Sequence, residues 1–310
     1  MLSTIGTTRR TGRARTATFV VGTLCSASAL VVGAGAAAAA SAPRAALPTP
    51  RKDPKAAALV PAAIRKAGVV SFAADATYAP DEFVAANGKT IIGMDVDLGN
   101  ALAAVLGLKA HFVNATFDTI IPGLVDGRFD VGLSSFTVTA AREKQVNFVS
   151  YYQAGEGFYV KSSSPANVTD LATLCGKTVA VETGTTEQAD AQRDVALCKK
   201  AGKKPDTVLP FNTQDEANLA VASGRAQAGF ADSQVAAYIV HQSHGTFKLS
   251  GKPFGVAPYG IAFPKSSTLD KATLVALQDL KRSGLYMKIL EKWGIANGAL
   301  AHFAINPKVS

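Results

Sequence analysis

Residues 129–142 read FDVGLSSFTVTAAR, a short strand pattern that runs into hydroxyl residues and an arginine. Val131 and Leu133 alternate as the residues of a buried strand do, and Thr139 can cap a helical turn that follows it. Arg142 falls in that turn, so its guanidinium can lean back over the end of the strand. A strand that leads into a helix start is the unit from which α/β folds are built.

The polar end of this stretch predicts a receptor for an anion. Arg142 offers five N–H donors in a planar fork that suits a carboxylate, and Ser135 and Thr137 can donate or accept around it. These residues favour capture of a ligand over its chemical conversion. The alternative is an arginine in a surface ion pair beside solvated hydroxyl groups.

Strand and helix patterns alternate in two series, over residues 69–146 and 177–242, which predicts an α/β fold. Because about 250 residues exceed what one core usually holds, we expect two lobes with the binding site in the cleft between them. The patterns predict strands at 69–73, 109–113, 131–134, 177–181, 207–211, 226–231 and 259–263, and helices at 95–106, 118–125, 139–146, 187–198, 216–223, 232–242, 268–283 and 285–293.

The first 42 residues predict export. They contain four arginines between positions 9 and 15 and no acidic residue, and they continue into an alanine-rich apolar run. This is the pattern of a signal peptide, with cleavage expected near residues 40–42. Ordinary secretion is favoured over a twin-arginine signal or a membrane anchor, and Cys25 lacks the flanking residues of a lipid attachment site. Residues 43–58 are expected to form a flexible leader.

Charge and cysteine content exclude several classes of function. The formal net charge of +9 falls to about +5 without the arginines of the signal. The basic cluster at residues 199–204 contains no aromatic residue, so nucleic-acid binding is not expected. Cys175 and Cys198 remain as an even pair in an oxidising compartment, which favours a disulfide over a metal site or two free buried thiols. His241 and His244 fit a solvated helix end, so no metal or cofactor is expected.

The second series contains another candidate half-site. Gly184, Thr185 and Thr186 follow a strand and lead into a helix, whose free N–H groups attract anions. Thr186 can cap this helix or contact a ligand, and Asp232 can cap the next helix or face a ligand ammonium group. After the first strand of the chain, Asp75 and Tyr78 suggest a ligand wall, although Tyr78 can equally pack in the core.

Together these segments resemble the family 3 extracellular solute-binding proteins, the amino-acid receptors of ABC importers. The resemblance covers about residues 60–298 and rests on several short segments in combination. These are ADATYAP at 74–80, GMDVDL at 93–98, FDTIIPGL at 117–124, SSFTVTAAR at 134–142 and GTT at 184–186.

The resemblance implies a two-lobed periplasmic-binding-protein-like fold (type II), with the ligand cleft between lobes joined by hinges near residues 154–156 and 252–255. The final strand and helices would return to the first lobe. The implied organisation is a first lobe at 59–155 and 255–300, a second lobe at 156–254 and a C-terminal tail at 301–310.

The resemblance also implies roles for the candidate residues. Arg142 and the hydroxyl groups near it would hold the ligand α-carboxylate, Asp232 would hold the α-ammonium, Tyr78 and Phe117 would enclose the side chain, and Asp75 would lie near its distal end. Asp81 stands where the family commonly has an apolar residue, so the side-chain pocket is expected to differ there. The complete predicted site is Asp75, Tyr78, Phe117, Ser134, Ser135, Thr137, Arg142, Gly184, Thr185, Thr186 and Asp232.

The sequence therefore predicts a receptor that binds a polar or cationic L-amino acid and delivers it to the membrane permease of an ABC importer. Asp75 motivates the choice of ligand, because an unpaired carboxylate in a dry cleft needs a donor or a cation. A monomer that binds no nucleic acid is expected. One alternative is an exported enzyme that resembles cyclohexadienyl dehydratases, with Glu182 as its acid. Another is a ligand-sensing module that acts through a separate partner.

Overall fold

The computed structural model describes residues 47–309, and the predicted signal peptide lies outside them. The strands there are β1 (Val69–Ala74), β2 (Thr77–Tyr78), β3 (Glu82–Val84), β4 (Ile91–Ile92), β5 (Lys109–Asn114), β6 (Val131–Gly132), β7 (Val146–Lys161), β8 (Thr178–Glu182), β9 (Thr207–Phe211), β10 (Ala228–Asp232) and β11 (Phe247–Pro264). The helices are α1 (Pro54–Ala58), α2 (Ala62–Ala67), α3 (Met94–Leu106), α4 (Phe117–Val125), α5 (Ala140–Glu143), α6 (Thr186–Lys200), α7 (Gln214–Ala222), α8 (Ser233–Gln242), α9 (Leu269–Arg282) and α10 (Leu285–Trp293).

The main sheet has the strand order β5-β1-β6-β11-β7-β10-β8-β9. We call β1, β5 and β6 with the helices packed on them the first lobe, and β8, β9 and β10 with their helices the second lobe. The antiparallel pair β7 and β11 runs through both lobes and joins them. Its register is irregular between Ser250 and Ala257, beside the predicted hinge at 252–255. The predicted α/β, two-lobed fold is confirmed, whereas its residue boundaries stay a prediction.

The first lobe has a core of helices packed on the sheet. α3 buries Met94, Leu98 and Leu102, and α9 and α10 pack against it. The tail continues along β7, where Asn306 Oδ1 accepts a hydrogen bond from the Phe148 backbone N–H at 2.8 Å. The last two helices therefore belong to the first lobe, although they follow the second lobe in the chain.

Part of the predicted flexible leader is ordered. Residues 54–58 form α1, whose first N–H groups bond to the Asp53 side chain, with Lys55 N at 2.6 Å. The helix buries Ala56 and Ala57 against the first lobe. An acidic cap followed by Pro54 is a helix-start signal. The prediction that structure begins near Leu59 was wrong because the proline- and alanine-rich composition of the leader hid this signal.

The longest strands were largely missed. The predicted helix at 139–146 ends at Glu143, and β7 begins at Val146 without being predicted. Only residues 259–263 of β11 were predicted. β7 is buried on both faces over most of its 16 residues, so it shows no alternation of apolar and polar residues. Gly155 and Gly157 also interrupt its apolar run.

The second lobe contains the predicted disulfide. Cys175 and Cys198 are bonded with a Cα–Cα distance of 5.6 Å, which joins the loop before β8 to α6. The prediction of this bond is confirmed. None of the helices within residues 47–309 is long and apolar enough to cross a membrane.

Candidate functional site

The polar ends of strands from both lobes meet at one cleft. β1 and β6 end there in the first lobe, and β8 and β10 end there in the second, as ligand sites in open α/β sheets commonly do. The space enclosed between the walls is about 10 Å³, close to the room for one water molecule, so the lobes meet closely. The walls are formed by Tyr78, Phe117, Ser135, Thr137, Arg142, Thr185, Thr186, Glu187, Gln214, Phe230, Ala231, Asp232 and Val235.

Arg142 reaches across the cleft from α5. Its Nη1 donates to the Thr137 carbonyl at 2.6 Å and its Nη2 donates to the Gly184 carbonyl of the second lobe at 2.9 Å. The guanidinium carbon lies 5.1 Å from the centre of the Phe117 ring. Thr139 caps α5 by accepting from the Arg142 N–H at 3.2 Å. The guanidinium is thus fixed over an aromatic face while some of its donors remain available to a ligand.

The two serines after β6 have different environments. Ser135 lines the cleft and has a φ of 49°, a left-handed conformation that is uncommon outside glycine. Its backbone N–H donates to Asp95 Oδ2 at 3.0 Å, which holds this turn in place. Ser134 is fully buried behind the cleft, where its Oγ accepts from Asp75 N at 2.9 Å and donates to Glu82 Oε1 at 2.8 Å. The structure therefore gives Ser134 internal partners rather than a place in the wall.

At the start of α6, Thr185 is the residue that caps the helix. Its Oγ1 accepts from the Gln188 N–H at 3.1 Å, whereas Thr186 lies in the first turn and donates to Glu187 Oε2 at 3.2 Å. Gly184 has a φ of 83°, and a Cβ there would lie 2.9 Å from Asp118 Cβ. A side chain at Gly184 would therefore hold the lobes apart. Thr186 is free of the cap and lines the cleft.

Asp232 stands at the N-cap position of α8 but forms no side-chain cap hydrogen bond. Its carboxylate lies in the cleft wall near Tyr259 and Glu187. Burial first, and then the charge of Glu187, raises the pKa of Asp232 well above its ordinary value. Of the two roles considered for Asp232, the structure disfavours the cap and leaves the carboxylate available in the cleft.

Two further acids near this end of the cleft were missed in the sequence. Glu187 is buried in the first turn of α6 and leaves Oε1 without a hydrogen-bond partner among the described residues. Burial, with Glu187 as the next cause, raises the pKa of Glu156 on β7 to about 9. An acid in the first turn of a helix ordinarily pairs with the helix dipole, so the sequence contained no signal that Glu187 would face a ligand cleft.

Aromatic rings form the middle of the cleft. Tyr78 and Phe117 lie with ring centres 5.6 Å apart in an edge arrangement, and both belong to the first lobe. Phe230 and Val235 face them from the second lobe. Tyr78 lines the cleft and is also part of a buried apolar cluster, so it is at once a wall of the cleft and a residue of the core. The wall suits an apolar stem or a flat cation.

Asp75 and Glu182 lie behind these rings, at the junction of the lobes. Asp75 accepts from Thr77 Oγ1 at 2.7 Å and from the Phe117 N–H at 3.0 Å. Burial raises the pKa of Asp75, although these hydrogen bonds oppose the rise. Glu182 is buried next to Asp75 and Tyr78. Asp81 does not line the cleft, because its side chain points into an acidic cluster inside the first lobe.

Metal ligation finds little support in the part of the chain that the structure describes. The one group of side chains there that could hold an ion is Cys175, Asp194 and Cys198. Both sulfur atoms of this group are joined in the disulfide.

Comparison with known proteins identifies the family. Residues 70–296 match the bacterial extracellular solute-binding proteins, family 3, and the chain belongs to this family. The arginine-binding protein ArgT of Corynebacterium glutamicum is 35% identical over 254 residues, which span 82% of this chain and 83% of that protein. The resemblance found in the sequence is confirmed.

Two solved structures are similar to the whole two-lobed unit. An ancestral arginine-binding protein bound to arginine has 36% identity and a TM-score of 0.67, and the match covers 73% of this chain and 98% of that chain. An ancestral amino-acid-binding protein, described as a precursor of cyclohexadienyl dehydratase, has 34% identity and a TM-score of 0.67, with 74% and 97% covered.

Proposed function

We propose that this protein is an extracytoplasmic receptor that captures a cationic L-amino acid, with arginine as the preferred ligand, and presents it to an ABC importer. The observation that carries the proposal is the pairing of Arg142 and Asp232 in the wall of one cleft between two lobes. A fixed cation and a fixed anion at that position match the two charges that every free amino acid has near neutral pH.

Arg142 is the group that would bind the α-carboxylate. Its guanidinium already bridges the lobes through the Gly184 carbonyl. A carboxylate is a stronger acceptor than a carbonyl, and a charge-assisted pair exceeds a neutral hydrogen bond about twofold. An entering ligand would therefore replace Gly184 as the partner of Nη2, with Ser135, Thr137 and Thr186 close by in the wall.

Asp232 would bind the α-ammonium. Its carboxylate has no helix N–H partner, and it lies beside Glu187 in a buried wall. Arg142 offsets part of the charge of these two acids, and a ligand ammonium group would supply a further positive charge. Closure over the ligand would then exclude water from both ends, and the closed state would be what the importer recognises.

The far end of the cleft favours a cationic side chain. Tyr78 and Phe117 offer aromatic faces, which attract guanidinium and ammonium groups. Asp75 and Glu182 are two acids behind these rings, and a cation placed between them would favour their ionised forms. The arginine-binding names of the relatives support the same choice. An acidic ligand would meet like charges there.

A dehydratase remains the second candidate. Glu182 favours it, because burial and then the charge of Asp75 raise the pKa of this carboxyl to about 11, so it holds a proton near neutral pH. A general acid needs such a proton, and the precursor of a dehydratase is among the structural neighbours. Incubation with prephenate separates the two functions, since an enzyme forms product and a receptor does not.

The receptor is tested by calorimetry with arginine, lysine, histidine, glutamine, glutamate and leucine. We expect arginine to bind most tightly, and Arg142→Ala to weaken its binding by about 3 kcal/mol or more through loss of a charged hydrogen-bond pair. Arg128→Ala is the matched control, because Arg128 also stacks on a phenylalanine but lies exposed outside the cleft wall. Near-native affinity of Arg142→Ala for every ligand would overturn the proposed site.

A further inference from the structure

Two carboxylates from opposite lobes meet where the cleft closes. Asp75 follows β1 in the first lobe and is 2% exposed, and Glu182 ends β8 in the second lobe and is 1% exposed. Their charges act on each other. No ion pair within residues 47–309 includes either of them. We call them the interlobe pair.

The interlobe pair is unequally supplied with hydrogen bonds. Asp75 accepts from Thr77 and from the Phe117 N–H. The carboxyl group of Glu182 is approached by the Tyr78 hydroxyl group and by Asp75, and the other described residues supply it with no hydrogen bond. The pair therefore depends on its own two members and on Tyr78 at a point where two lobes touch. A hydrogen bond between two carboxyl groups requires a proton on one of them.

Within residues 47–309, the other charged groups that act most strongly on the pair are acids. Asp215 on α7 faces Asp75, and Glu187 on α6 faces Glu182. The positive charge of Arg142 lies beside Glu187 and Tyr78, and its guanidinium donates hydrogen bonds to two backbone carbonyls. Two ionised carboxylates held together in this setting would repel each other and would lose their hydration. The closed arrangement therefore calls for a positive charge between them.

We propose that the interlobe pair makes closure of the lobes conditional on a positive charge between Asp75 and Glu182, supplied by the side chain of a cationic ligand or, without one, by a proton. The proposal rests on the proposed function and adds a rule for ligand choice. A guanidinium carries both a charge and a planar fork of N–H donors that fits a carboxylate, so it would replace the proton held between the two acids. A neutral ligand of the same shape would close the lobes only with that proton kept in place.

Citrulline is the probe that isolates this charge, since it replaces the guanidinium of arginine with a neutral urea group of nearly the same shape. We expect the affinity ratio of arginine to citrulline to rise between about pH 6 and pH 8, by up to about tenfold per pH unit for one proton. Calorimetry in buffers of different ionisation enthalpy should show release of about one proton with arginine and of almost none with citrulline.

Glu182→Gln tests the residue, because glutamine keeps the shape and removes the charge. We expect the arginine-to-citrulline ratio near pH 8 to fall at least about tenfold and its pH dependence to flatten, with a smaller change of the same kind in Asp75→Asn. Glu216→Gln, at an exposed position in the same lobe, is the matched control and should leave the ratio unchanged. Circular dichroism verifies that each variant is folded.

The outcomes separate the two proposals. Absence of any amino-acid binding that depends on Arg142 would reject the proposed function itself. Arginine binding that depends on Arg142, combined with an unchanged ratio in Glu182→Gln or with no proton release by arginine in the unmodified protein, would reject the interlobe rule alone. The proton measurement needs no variant, so misfolding of Glu182→Gln leaves the rule testable.

Discussion

Two groups of buried acids in this protein differ in where their hydrogen-bond donors come from. The first-lobe acid cluster consists of Asp81, Glu82 and Asp95, each 0% exposed. Most of its donors belong to the same lobe as the acids. The interlobe pair, Asp75 and Glu182, is equally buried, but its two members come from different lobes, and among the described residues Glu182 has Tyr78 and Asp75 of the first lobe as its partners.

Each acid of the first-lobe acid cluster has a close donor, while Asp81 Oδ1 and Asp95 Oδ1 have no hydrogen-bond partner among the described residues. Ser135 places its Oγ 3.1 Å from Asp81 Oδ2, and Ser134 Oγ donates to Glu82 Oε1 at 2.8 Å. Asp95 Oδ2 accepts from the Ser135 N–H at 3.0 Å and from Tyr151 Oη at 2.9 Å. Hydrogen bonds of this kind compensate for the loss of hydration. Burial of an acid therefore does not by itself indicate function, and what distinguishes the interlobe pair is that Glu182 and its partners lie in different lobes.

The largest expected effect is on the pH dependence of stability, which should distinguish the interlobe pair from the first-lobe acid cluster. The pKa of Glu182 is raised from 4.5 to about 11 in the folded protein, by burial first and then by the charge of Asp75. The protonated Glu182 carboxyl therefore makes its full contribution to the free energy of unfolding below about pH 4.5. This contribution is lost as the pH rises toward 11. The free energy of unfolding of the unmodified protein should fall between pH 5 and pH 8. We expect Glu182→Gln to make this fall less steep by up to about 1.4 kcal/mol per pH unit.

Urea unfolding without ligand, repeated across this pH range, measures that slope. Glu216→Gln serves again as the exposed control and should unfold in parallel with the unmodified protein. Parallel curves for Glu182→Gln and the unmodified protein would mean that Glu182 ionises freely in the folded state. The difference between the interlobe pair and the first-lobe acid cluster would then disappear.

Ser134→Ala should affect stability rather than ligand choice. It removes the partner of the Asp75 N–H and of Glu82 Oε1 and leaves two buried polar groups unpaired. We expect the free energy of unfolding to fall by about 3 kcal/mol, while the arginine-to-citrulline ratio stays constant. Urea unfolding and calorimetry measure the two quantities, and Ser163→Ala at an exposed position is the control. A changed ratio with unchanged stability would instead place Ser134 in the ligand site.

Local signals in the sequence predicted much of the fold and part of the site. α10 has the predicted bounds, and Thr139 caps the turn that carries Arg142 because both residues belong to one short stretch. β7 was missed because burial on both faces erases the alternation by which strands are recognised. Such a strand has no periodic signal of its own.

Relations across the cleft could not be predicted in the same way. Asp75 and Glu182 were each noticed in the sequence, but their contact depends on how two lobes close. Asp81 was expected to alter the side-chain pocket, yet its partners Ser135 and Gln234 draw it into the first-lobe acid cluster. Contacts between distant segments follow from the tertiary arrangement, which a periodic pattern does not encode.

The smallest expected effect concerns Gln234, a donor that reaches the first-lobe acid cluster from the second lobe. Gln234 on α8 lies with its Nε2 2.7 Å from Asp81 Oδ2 and 2.6 Å from Tyr259 Oη. This contact forms only when the lobes meet, so its loss should weaken ligand binding more than it weakens the first lobe. Gln234→Ala therefore tests whether the cluster takes any part in closure.

The strength of this contact should follow the charge on Asp81. Burial raises the pKa of Asp81 to about 7, so the carboxyl is mostly neutral near pH 6 and mostly ionised near pH 8. A hydrogen bond to an ionised acceptor is the stronger one. We expect Gln234→Ala to weaken arginine binding by about 0.5 kcal/mol near pH 6 and by about 1.5 kcal/mol near pH 8, measured by calorimetry. Gln242→Ala, exposed on the same helix, should change neither value. An equal loss at both pH values would show that Asp81 keeps one protonation state throughout, and that the interlobe pair alone makes closure sensitive to pH.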